Sequence, residues 1–328
     1  MEKQFKNLAI CGGGVLGLSL TTAFKAMNNL NKMESIEKVC GTSVGSMFGV
    51  FVACKLNNKE IDHYTKKFYN QLTELDENVI QEGINMINNL GLHDNTNIYK
   101  AINELLFEKY GIHHMTLKQL FDTTNVEYTA VTMCMDTRKA VYLNHKSYPD
   151  LPVGKAVQMS SAVPFFFVQV KVNGMTFVDG GAVDNMPIDY YDCANGEFNE
   201  STLGIHFKHS EIPKNYESDS VLKLLEGIES TQIETNEKKS IQNYSMRNII
   251  EIDVGKVDSF NFNLSDDEKE LLLKSGYNSV ISYFAKLEND KKQKEKQEKQ
   301  TKQDEQIKQR TWTEWTELWT ESWTKSWT

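Results

Sequence analysis

Hydrophobic positions near the start of the chain fall into two short runs, each followed by glycines and then by a longer apolar segment. Residues 8–11 predict a buried strand that enters a glycine turn, with a helix expected over residues 16–30. Residues 36–40 predict a second strand, and an apolar helix is expected over residues 46–55. A repeated order of strand, glycine turn and helix is typical of α/β proteins.

The rest of the chain alternates between helical and extended patterns up to about residue 288. Residues 60–110 predict amphipathic helices that form a cap or insertion, based on the spacing of Leu72, Leu75, Val79, Ile84, Ile87 and Leu90. Further elements are expected as strands at 125–134, 139–144, 202–207 and 249–254, a hairpin at 169–178, and helices at 151–161, 220–243 and 265–287. Ser265 and Glu268 predict a capping box at the start of the closing helix.

The composition changes after Leu287. Residues 288–310 are almost entirely Lys, Gln, Glu and Asp, which predicts either a solvated helix or a disordered linker. We therefore expect an α/β domain over residues 1–288, a charged linker over 289–311 and a separate tail over 312–328.

All five tryptophans of the chain lie in that tail, as Trp312, Trp315, Trp319, Trp323 and Trp327. On a helix they would fall within an arc of roughly 120°. Tryptophan favours the membrane interface, because its ring is apolar and its N–H stays hydrated there. The tail is therefore interpreted as an interfacial anchor, and the alternatives are a disordered tail and a self-associating one.

Composition narrows the classes of function. The 328 residues are 40% hydrophobic and carry a net charge of −9, so nothing suggests the basic patch that a nucleic-acid partner requires. The five cysteines form neither a CxxC pair nor a metal-binding pattern, and buried reduced thiols are expected. With neither a signal-peptide pattern nor a spanning apolar run, the expected location is the cytosol or a membrane surface facing it.

Gly41-Thr42-Ser43-Val44-Gly45 matches G-x-S-x-G between a predicted strand and a predicted helix. Glycines on either side of a serine let strand and helix pack closely, so that the hydroxyl projects outward from a tight turn. The N-terminal N–H groups of the following helix point to the same place. Ser43 is therefore the candidate nucleophile.

Gly12-Gly13-Gly14 follows the first strand and could direct several backbone N–H groups into one cavity, as an oxyanion hole requires. Gly12, Gly14 and Gly17 also fit the dinucleotide pattern G-x-G-x-x-G. That alternative requires an acidic residue at the end of the next strand, where this chain has Cys40-Gly41-Thr42-Ser43 instead.

Asp179 follows an apolar strand and precedes Gly180 and Gly181, so it is a candidate general base at a strand end, although a turn aspartate gives the same pattern. A triad would need a histidine, and His206 is the one that the order Ser…Asp…His permits. Too few residues precede Ser43 for the α/β-hydrolase order of strands, so His206 is interpreted as a strand residue.

Together these motifs resemble the patatin-like phospholipase family. Residues 160–167, which include Pro164, look like its Ser-Ala-x-Pro-x-x-Phe block, and residues 179–187, which include Asn185, look like its Asp-Gly-Gly-x-x-x-Asn-x-Pro block. The resemblance covers residues 5 to about 210. It implies a three-layer α/β/α fold with a mostly parallel sheet and a Ser–Asp dyad without histidine.

Carried over residue by residue, the resemblance implies that Ser43 attacks a carboxylic ester and that Asp179 accepts its proton. It further implies oxyanion donors on Gly12, Gly13 and Gly14, and supporting roles for the motif residues Gly17, Gly41, Gly45, Gly180, Gly181, Pro164 and Asn185. The dyad needs no metal and no cofactor. Leu16 departs from the family, since many members carry Arg or Lys there, which affects the expected headgroup preference.

The expected substrate is a phospholipid or lysophospholipid, cleaved as by a phospholipase A or a lysophospholipase. The resemblance also admits a protein activator as a partner. The alternatives are a catalytically lapsed patatin scaffold that binds lipid or protein, and the dinucleotide-dependent enzyme.

Overall fold

The computed structural model describes residues 4–73, 91–195, 197–210, 227, 231 and 247–325. The strands within these ranges are β1 (Asn7–Ile10), β2 (Lys38–Thr42), β3 (Gly91–His93), β4 (Glu127–Cys134), β5 (Lys139–Asn144), β6 (Phe165–Phe167), β7 (Val170–Val172), β8 (Met175–Asp179), β9 (Thr202–Lys208) and β10 (Asn248–Asp253).

The helices in the same ranges are α1 (Leu18–Asn29), α2 (Val44–Ala53), α3 (Asn58–Thr73), α4 (Thr96–Tyr110), α5 (Leu117–Thr124), α6 (Val153–Ser160), α7 (Gly181–Asp184) and α8 (Asp266–Lys325). Short 3-10 helices occur at Gly14–Gly17 and Asp189–Tyr191. Among the described residues, no helix combines the length and the apolar character needed to cross a bilayer.

The main sheet follows the order β10-β9-β1-β2-β4-β8-β7, with β5 also paired to β4. The strands from β10 to β4 are parallel, whereas β5, β8 and β7 run antiparallel to their neighbours. A parallel sheet needs helices on its faces, which accounts for the burial of all of β1 and of β2 after Lys38. The predicted three-layer α/β/α class with a mostly parallel sheet is therefore confirmed.

An aromatic cluster joins the first three helices beside the sheet. Phe48 of α2 packs against Phe24 of α1 at 5.5 Å between ring centroids, and Phe51 of α2 packs against Phe68 of α3 at 5.9 Å. All four rings are buried, and edge-on or tilted ring pairs of this kind add to the stabilisation from their buried area. Helix α2 is therefore held in place by its packing against α1 and α3.

One expectation about the middle of the chain was wrong, and one strand there was missed. Residues 60–110 are not helical throughout, because Gly91–His93 forms a strand that pairs in parallel with β6. The strand β6 was itself missed, since it lies within the block that resembles a family motif. Leu75, Val79, Ile84, Ile87 and Leu90 of the predicted cap, and the predicted helix at 220–243 apart from residues 227 and 231, lie outside the described residues.

The hairpin at 169–178 is confirmed by the antiparallel pairing of β7 with β8. The capping box is also confirmed, because the Ser265 N–H donates to Glu268 Oε2 at 2.8 Å and the Glu268 N–H donates to Ser265 Oγ at 3.3 Å. The thiols are buried as expected at four positions, whereas Cys193 is exposed.

The closing helix does not end near residue 287 but continues as α8 to Lys325. Its first part, residues 266–280, packs against α1, where the Thr22 hydroxyl donates to the Leu273 carbonyl at 2.6 Å. The chain divides into two units, residues 1–280 and 281–328. The expected boundaries at 288 and 311 stay predictions.

Arg247, just before β10, is held by carboxylates from the segment after α7. Its side chain is only 6% exposed and forms a bidentate pair with Asp192 at 3.0 and 2.6 Å, and its Nη2 lies 2.6 Å from Asp189. The guanidinium also lies 4.2 Å from the centroid of the Phe198 ring. A buried guanidinium needs such partners, because an unpaired buried charge is strongly destabilising.

We predict that Asp192→Asn destabilises the fold by about 3 kcal/mol, because it removes the bidentate partner of a buried cation. Asp189→Asn is the matched control, and since its carboxylate is 58% exposed we expect a loss of less than about 1 kcal/mol. Urea unfolding of both variants measures the two free energies. Equal losses would contradict this account.

Candidate active site

The register of the sheet brings two distant strand ends together. On one side of β4, the end of β2 pairs Thr42 with Val131, and the end of β8 pairs Asp179 with Thr132. Because β2 is parallel and β8 antiparallel to β4, the two strands run towards each other and stop at neighbouring positions. Ser43 follows Thr42 directly, so it lies beside Asp179.

Ser43 occupies the turn between β2 and α2 with φ 54° and ψ −124°, a conformation that costs a non-glycine residue of the order of 1–3 kcal/mol. The turn requires a close approach of α2 to the sheet. A Cβ at Gly45 would lie 2.5 Å from the carbonyl oxygens of Ile10 and Cys11, and one at Gly41 would collide with the Gly45 carbonyl. The two glycines of G-x-S-x-G are therefore required sterically.

Serine hydroxyls hold both backbone polar groups of Ser43. Its N–H donates to Ser160 Oγ at 2.9 Å, and its carbonyl accepts from the Ser46 hydroxyl at 2.6 Å. Ser46 and Ser160 are fully buried and Ser43 is 8% exposed, so water cannot replace these bonds readily. The strained turn is thus fixed by its surroundings.

Asp179 is buried at the end of β8, where its N–H donates to the Ala162 carbonyl at 2.8 Å. One carboxyl oxygen, Oδ1, accepts from the Gly181 N–H at 2.7 Å. The other oxygen, Oδ2, is buried and has no hydrogen-bond partner among the described residues. The site therefore contains a carboxylate with an unused acceptor.

Burial raises the pKa of Asp179 from 3.8 to about 6, while the nearby Ser43 hydroxyl and the Gly181 N–H act in the opposite direction. The Ser43 hydroxyl is near enough to favour the ionised carboxylate, although it does not form a hydrogen bond of good geometry with Oδ2. A carboxyl group with such a pKa is still ionised at neutral pH, and it is a stronger base than a solvated aspartate. Within the described chain, no histidine is among the groups that shift the pKa of Asp179.

The N–H groups of the glycine loop after β1 are not equivalent. The Gly12 N–H donates to the Asn185 carbonyl at 3.1 Å, and the Asn185 side-chain amide donates back to the Gly12 carbonyl at 3.3 Å. The N–H groups of Gly13 and Gly14 have no acceptor among the residues that the structure describes. Two of the three expected oxyanion donors are therefore free, and the third is already engaged.

The glycine loop is held from two sides. A Cβ at Gly13 would lie 2.5 Å from the Phe207 ring of β9. Gly14, with φ 51°, lies against the Ser259 carbonyl, which accepts the Val15 N–H at 3.0 Å. Side chains at Gly13 and Gly14 would therefore displace the loop.

The other motif residues surround this centre. Gly17 lies against the Val44 side chain at the start of α2, and a Cβ at Gly180 would lie 2.5 Å from the Val131 carbonyl oxygen. Pro164 is half-buried and precedes β6, and Leu16 is buried. The structure thus brings the four sequence blocks to one place.

His206 is a buried residue of β9, where it pairs with Glu251 of β10. This agrees with its interpretation as a strand residue. At the end of β2, where a dinucleotide-binding protein needs an acidic side chain, the chain has Thr42 and then Ser43. Among the described residues, no group of three or more His, Cys, Asp or Glu is arranged to hold a metal ion.

Three residues of this site were missed in the sequence. Ser160 belongs to a recognised block, but nothing in its local pattern indicates a bond to Ser43. Phe207 gives the signal of an ordinary strand residue, and Ser259 gives none, because its carbonyl meets a loop far away in the sequence. Only the fold brings these residues to the site.

These features define an α/β protein with a serine in a strained strand-to-helix turn beside a buried carboxylate. The family model described as patatin-like phospholipase matches residues 8–192, which include both Ser43 and Asp179. The chain belongs to the patatin-like phospholipase family.

Three relatives are similar in sequence. An uncharacterised protein of Acanthamoeba polyphaga mimivirus is 27% identical over 88% of this chain and 96% of its own length. The uncharacterised protein YqhO of Bacillus subtilis (strain 168) is 25% identical over 81% of this chain and 93% of its own length. A probable lipid hydrolase of Invertebrate iridescent virus 6 is 27% identical over 57% of this chain and 63% of its own length.

Two solved structures share the fold. VipD from Legionella pneumophila superposes with a TM-score of 0.55 at 17% identity, covering 86% of this chain and 67% of that chain. ExoU, in its heterodimeric complex with SpcU from the type III secretion system of Pseudomonas aeruginosa, gives a TM-score of 0.50 at 14% identity, covering 87% and 52%.

We predict that the Asp179 carboxyl titrates near pH 6, and that Ser43→Ala raises its pKa further by removing a group that favours the ionised form. Carbon NMR of labelled aspartate carboxyls over a pH series measures the pKa of Asp179 in both proteins. The signal of Asp179 is assigned as the one that is lost in Asp179→Asn.

The control in that titration is Asp184, whose pKa burial also raises to about 6 and whose partner is the Tyr142 hydroxyl. Its titration should not respond to Ser43→Ala. A pKa near 4 for Asp179, or a lower pKa in the variant, would contradict the assigned environment.

Proposed function

We propose that this protein is a lipid acyl-hydrolase that cleaves carboxylic esters through a Ser43–Asp179 dyad and an acyl-enzyme. The observation that carries the proposal is the convergence of a strained nucleophile turn, a buried carboxylate with one unused oxygen, and two unpaired glycine N–H groups. The strained turn and the buried carboxylate are each energetically unfavourable by themselves, and acyl transfer uses all three arrangements.

In the proposed first step, Ser43 Oγ attacks the ester carbonyl and its proton passes to Oδ2 of Asp179. With a pKa of about 6, that carboxylate is ionised at neutral pH and still basic enough to accept the proton. As the carbonyl oxygen becomes negative, the N–H groups of Gly13 and Gly14 donate to it. The Gly12 N–H, bound to Asn185, acts indirectly by fixing the loop.

Collapse of the tetrahedral intermediate releases the alcohol part of the lipid, which takes the proton held by Asp179 and leaves the acyl group on Ser43. A water molecule then gives a proton to Asp179 and attacks the acyl-enzyme. The bond from the acyl carbon to Ser43 Oγ breaks, Oγ takes the proton back from Asp179, and the fatty acid is released, so that the same two residues serve both halves of the reaction. The start of α2 contributes the positive end of a helix dipole beside the reacting oxygen. No metal or cofactor takes part in these steps.

The proposed substrate is a phospholipid or lysophospholipid, with phospholipase A or lysophospholipase action. Membership of the patatin-like phospholipase family supports a lipid ester, as does the relative from Invertebrate iridescent virus 6 whose name is probable lipid hydrolase. Leu16 is buried and uncharged, so this position supplies no cation to bind a headgroup phosphate.

The tail is proposed to attach the enzyme to the surface that contains its substrate. Trp312, Trp315, Trp319 and Trp323 lie along one stripe of α8, each at least 64% exposed. Trp327 belongs to the same sequence repeat but lies outside the described residues. A row of exposed indoles is unfavourable in water and favourable at a membrane interface. Peripheral attachment from the cytosolic side therefore accompanies the proposed hydrolase.

We predict that purified protein releases fatty acid from mixed phospholipid vesicles, and that Ser43→Ala and Asp179→Asn each lower the rate by at least about 10³-fold. Because the base must be ionised, the wild-type rate should fall as the pH falls through about 6. Assays of fatty-acid release over a series of pH values measure the loss of rate in the variants and the pH dependence of the wild type.

His206→Ala is the control that separates a dyad from a triad, and it should leave the rate within about threefold of wild type. A large loss of rate in a folded His206→Ala variant would contradict Asp179 as the sole base. No release by the wild type would contradict the proposal for the isolated chain and would favour either a required protein activator or a catalytically lapsed scaffold.

We predict that replacing Trp312, Trp315, Trp319 and Trp323 by alanine lowers binding to lipid vesicles by at least about tenfold and leaves hydrolysis of a water-soluble ester unchanged. Vesicle co-sedimentation and ester hydrolysis measure the two quantities. The control is the double variant Thr301→Ala/Thr313→Ala, which removes exposed hydroxyls of the same helix.

The charge of the tail further predicts which surface it binds. Residues 312–328 carry Glu314, Glu317 and Glu321 against Lys325. Binding to zwitterionic vesicles should therefore equal or exceed binding to anionic ones. Unchanged vesicle binding by the four-tryptophan variant would exclude the anchor.

A further inference from the structure

Residues 160–162, which begin with the last residue of α6, contact both members of the proposed dyad. We infer that Ser160 is a positioning residue, whose hydroxyl holds the backbone of Ser43 in its strained conformation and so fixes the Ser43 side chain relative to Asp179. This inference rests on the proposed function of Ser43 and Asp179.

The first contact is the bond from the Ser43 N–H to Ser160 Oγ, at 2.9 Å. Ser43 precedes the first turn of α2, so its N–H has no partner within that helix. Ser160 is fully buried, and an unpaired buried N–H would be destabilising. The Ser160 hydroxyl therefore favours a backbone conformation that serine otherwise avoids.

The second contact reaches Asp179 from the same short segment. The Ala162 carbonyl, two residues after Ser160, accepts the Asp179 N–H at 2.8 Å. The covalent link from Ser160 to Ala162 thus joins the backbone of the nucleophile to the backbone of the base. The distance between Ser43 and Asp179 therefore depends on residues 160–162 as well as on the register of the sheet.

A third contact holds this link against the sheet. The Thr132 hydroxyl lies 2.7 Å from the Val178 carbonyl and 3.2 Å from the Met159 carbonyl, so it is shared between the end of β8 and the end of α6. Met159 precedes Ser160 and Val178 precedes Asp179. The end of α6 is therefore fixed just before Ser160.

The bond to Ser160 also assigns the Ser43 N–H a structural role. Since this N–H donates to a hydroxyl, it is not available to a substrate oxygen, and the oxyanion donors remain those of Gly13 and Gly14. Losing the Ser160 hydroxyl should therefore change how Ser43 Oγ is aimed, not how substrate is bound. The expected effect is on kcat, with little change in KM.

Ser161 provides a matched control. It neighbours Ser160, is 4% exposed, and its Oγ has no hydrogen-bond partner in the described part of the chain. Ser160→Ala and Ser161→Ala each remove one buried hydroxyl from the same turn. They differ in whether that hydroxyl contacts Ser43.

The test measures kcat and KM of wild type, Ser160→Ala, Ser161→Ala and Ser43→Ala on a water-soluble p-nitrophenyl ester, with the melting temperature of each. We expect Ser160→Ala to lower kcat by about 10- to 100-fold with KM within about threefold, since a displacement of about 1 Å can reduce a rate by that much. Ser161→Ala should keep kcat within about threefold of wild type. Equal kcat in the two alanine variants, or a change confined to KM, would overturn the inference.

Amide hydrogen exchange at Ser43 tests the contact without any activity. In the wild type this N–H should be protected, and in Ser160→Ala, but not in Ser161→Ala, it should exchange at least about tenfold faster. Free exchange in the wild type would overturn the inference even if Ser160→Ala did not fold. Turnover by Ser43→Ala equal to wild type would instead contradict the proposed function, and the exchange rates would still decide the contact.

Discussion

The candidate site depends on the close approach of α2 to the ends of β1 and β2. Gly45 leaves no room for a side chain against the carbonyls of Ile10 and Cys11, and Gly41 leaves none against Gly45. Ser43, between these two glycines, adopts a positive φ in the turn that this contact requires. The aromatic packing of α2 against α1 and α3 holds the helix in that position.

The second requirement is electrostatic. A carboxylate buried at the end of β8 is destabilised by the loss of water, and the Gly181 N–H compensates only in part, so its pKa rises to about 6. Among the described residues, Oδ2 of this carboxyl has no hydrogen-bond partner, and the N–H groups of Gly13 and Gly14 have no acceptor. In the proposed reaction, Oδ2 would accept one proton and the two glycine N–H groups would donate to one oxyanion.

The sequence was sufficient for most of the local elements and for the chemistry-bearing motifs, but not for β3 and β6. The strand, glycine and helix pattern predicted β1, β2 and the turn at Ser43, because the local steric demands of glycine determine these features. The sequence could not predict that Thr42 and Asp179 lie at neighbouring positions along β4, because this depends on the register of three strands.

The remaining differences have similar causes. The Gly12 N–H donates to the Asn185 carbonyl, which lies far away in the sequence. The local sequence pattern therefore could not distinguish Gly12 from Gly13 and Gly14. The strand Gly91–His93 is too short to give a period-two pattern and exists because it pairs with β6. Residues 288–310 lack an apolar face, yet they continue α8, consistent with their high content of good helix formers.

The central claim is that Ser43 carries the acyl group during turnover. The most direct test is to quench the wild type and Asp179→Asn during hydrolysis of a phospholipid of defined acyl chains and to measure intact and peptide masses. The account predicts an added mass of one acyl chain on the peptide containing Ser43 in the wild type, and none in Asp179→Asn or Ser43→Ala. Fatty-acid release accompanied by an adduct on another residue, or release by Ser43→Ala at the wild-type rate, would contradict it.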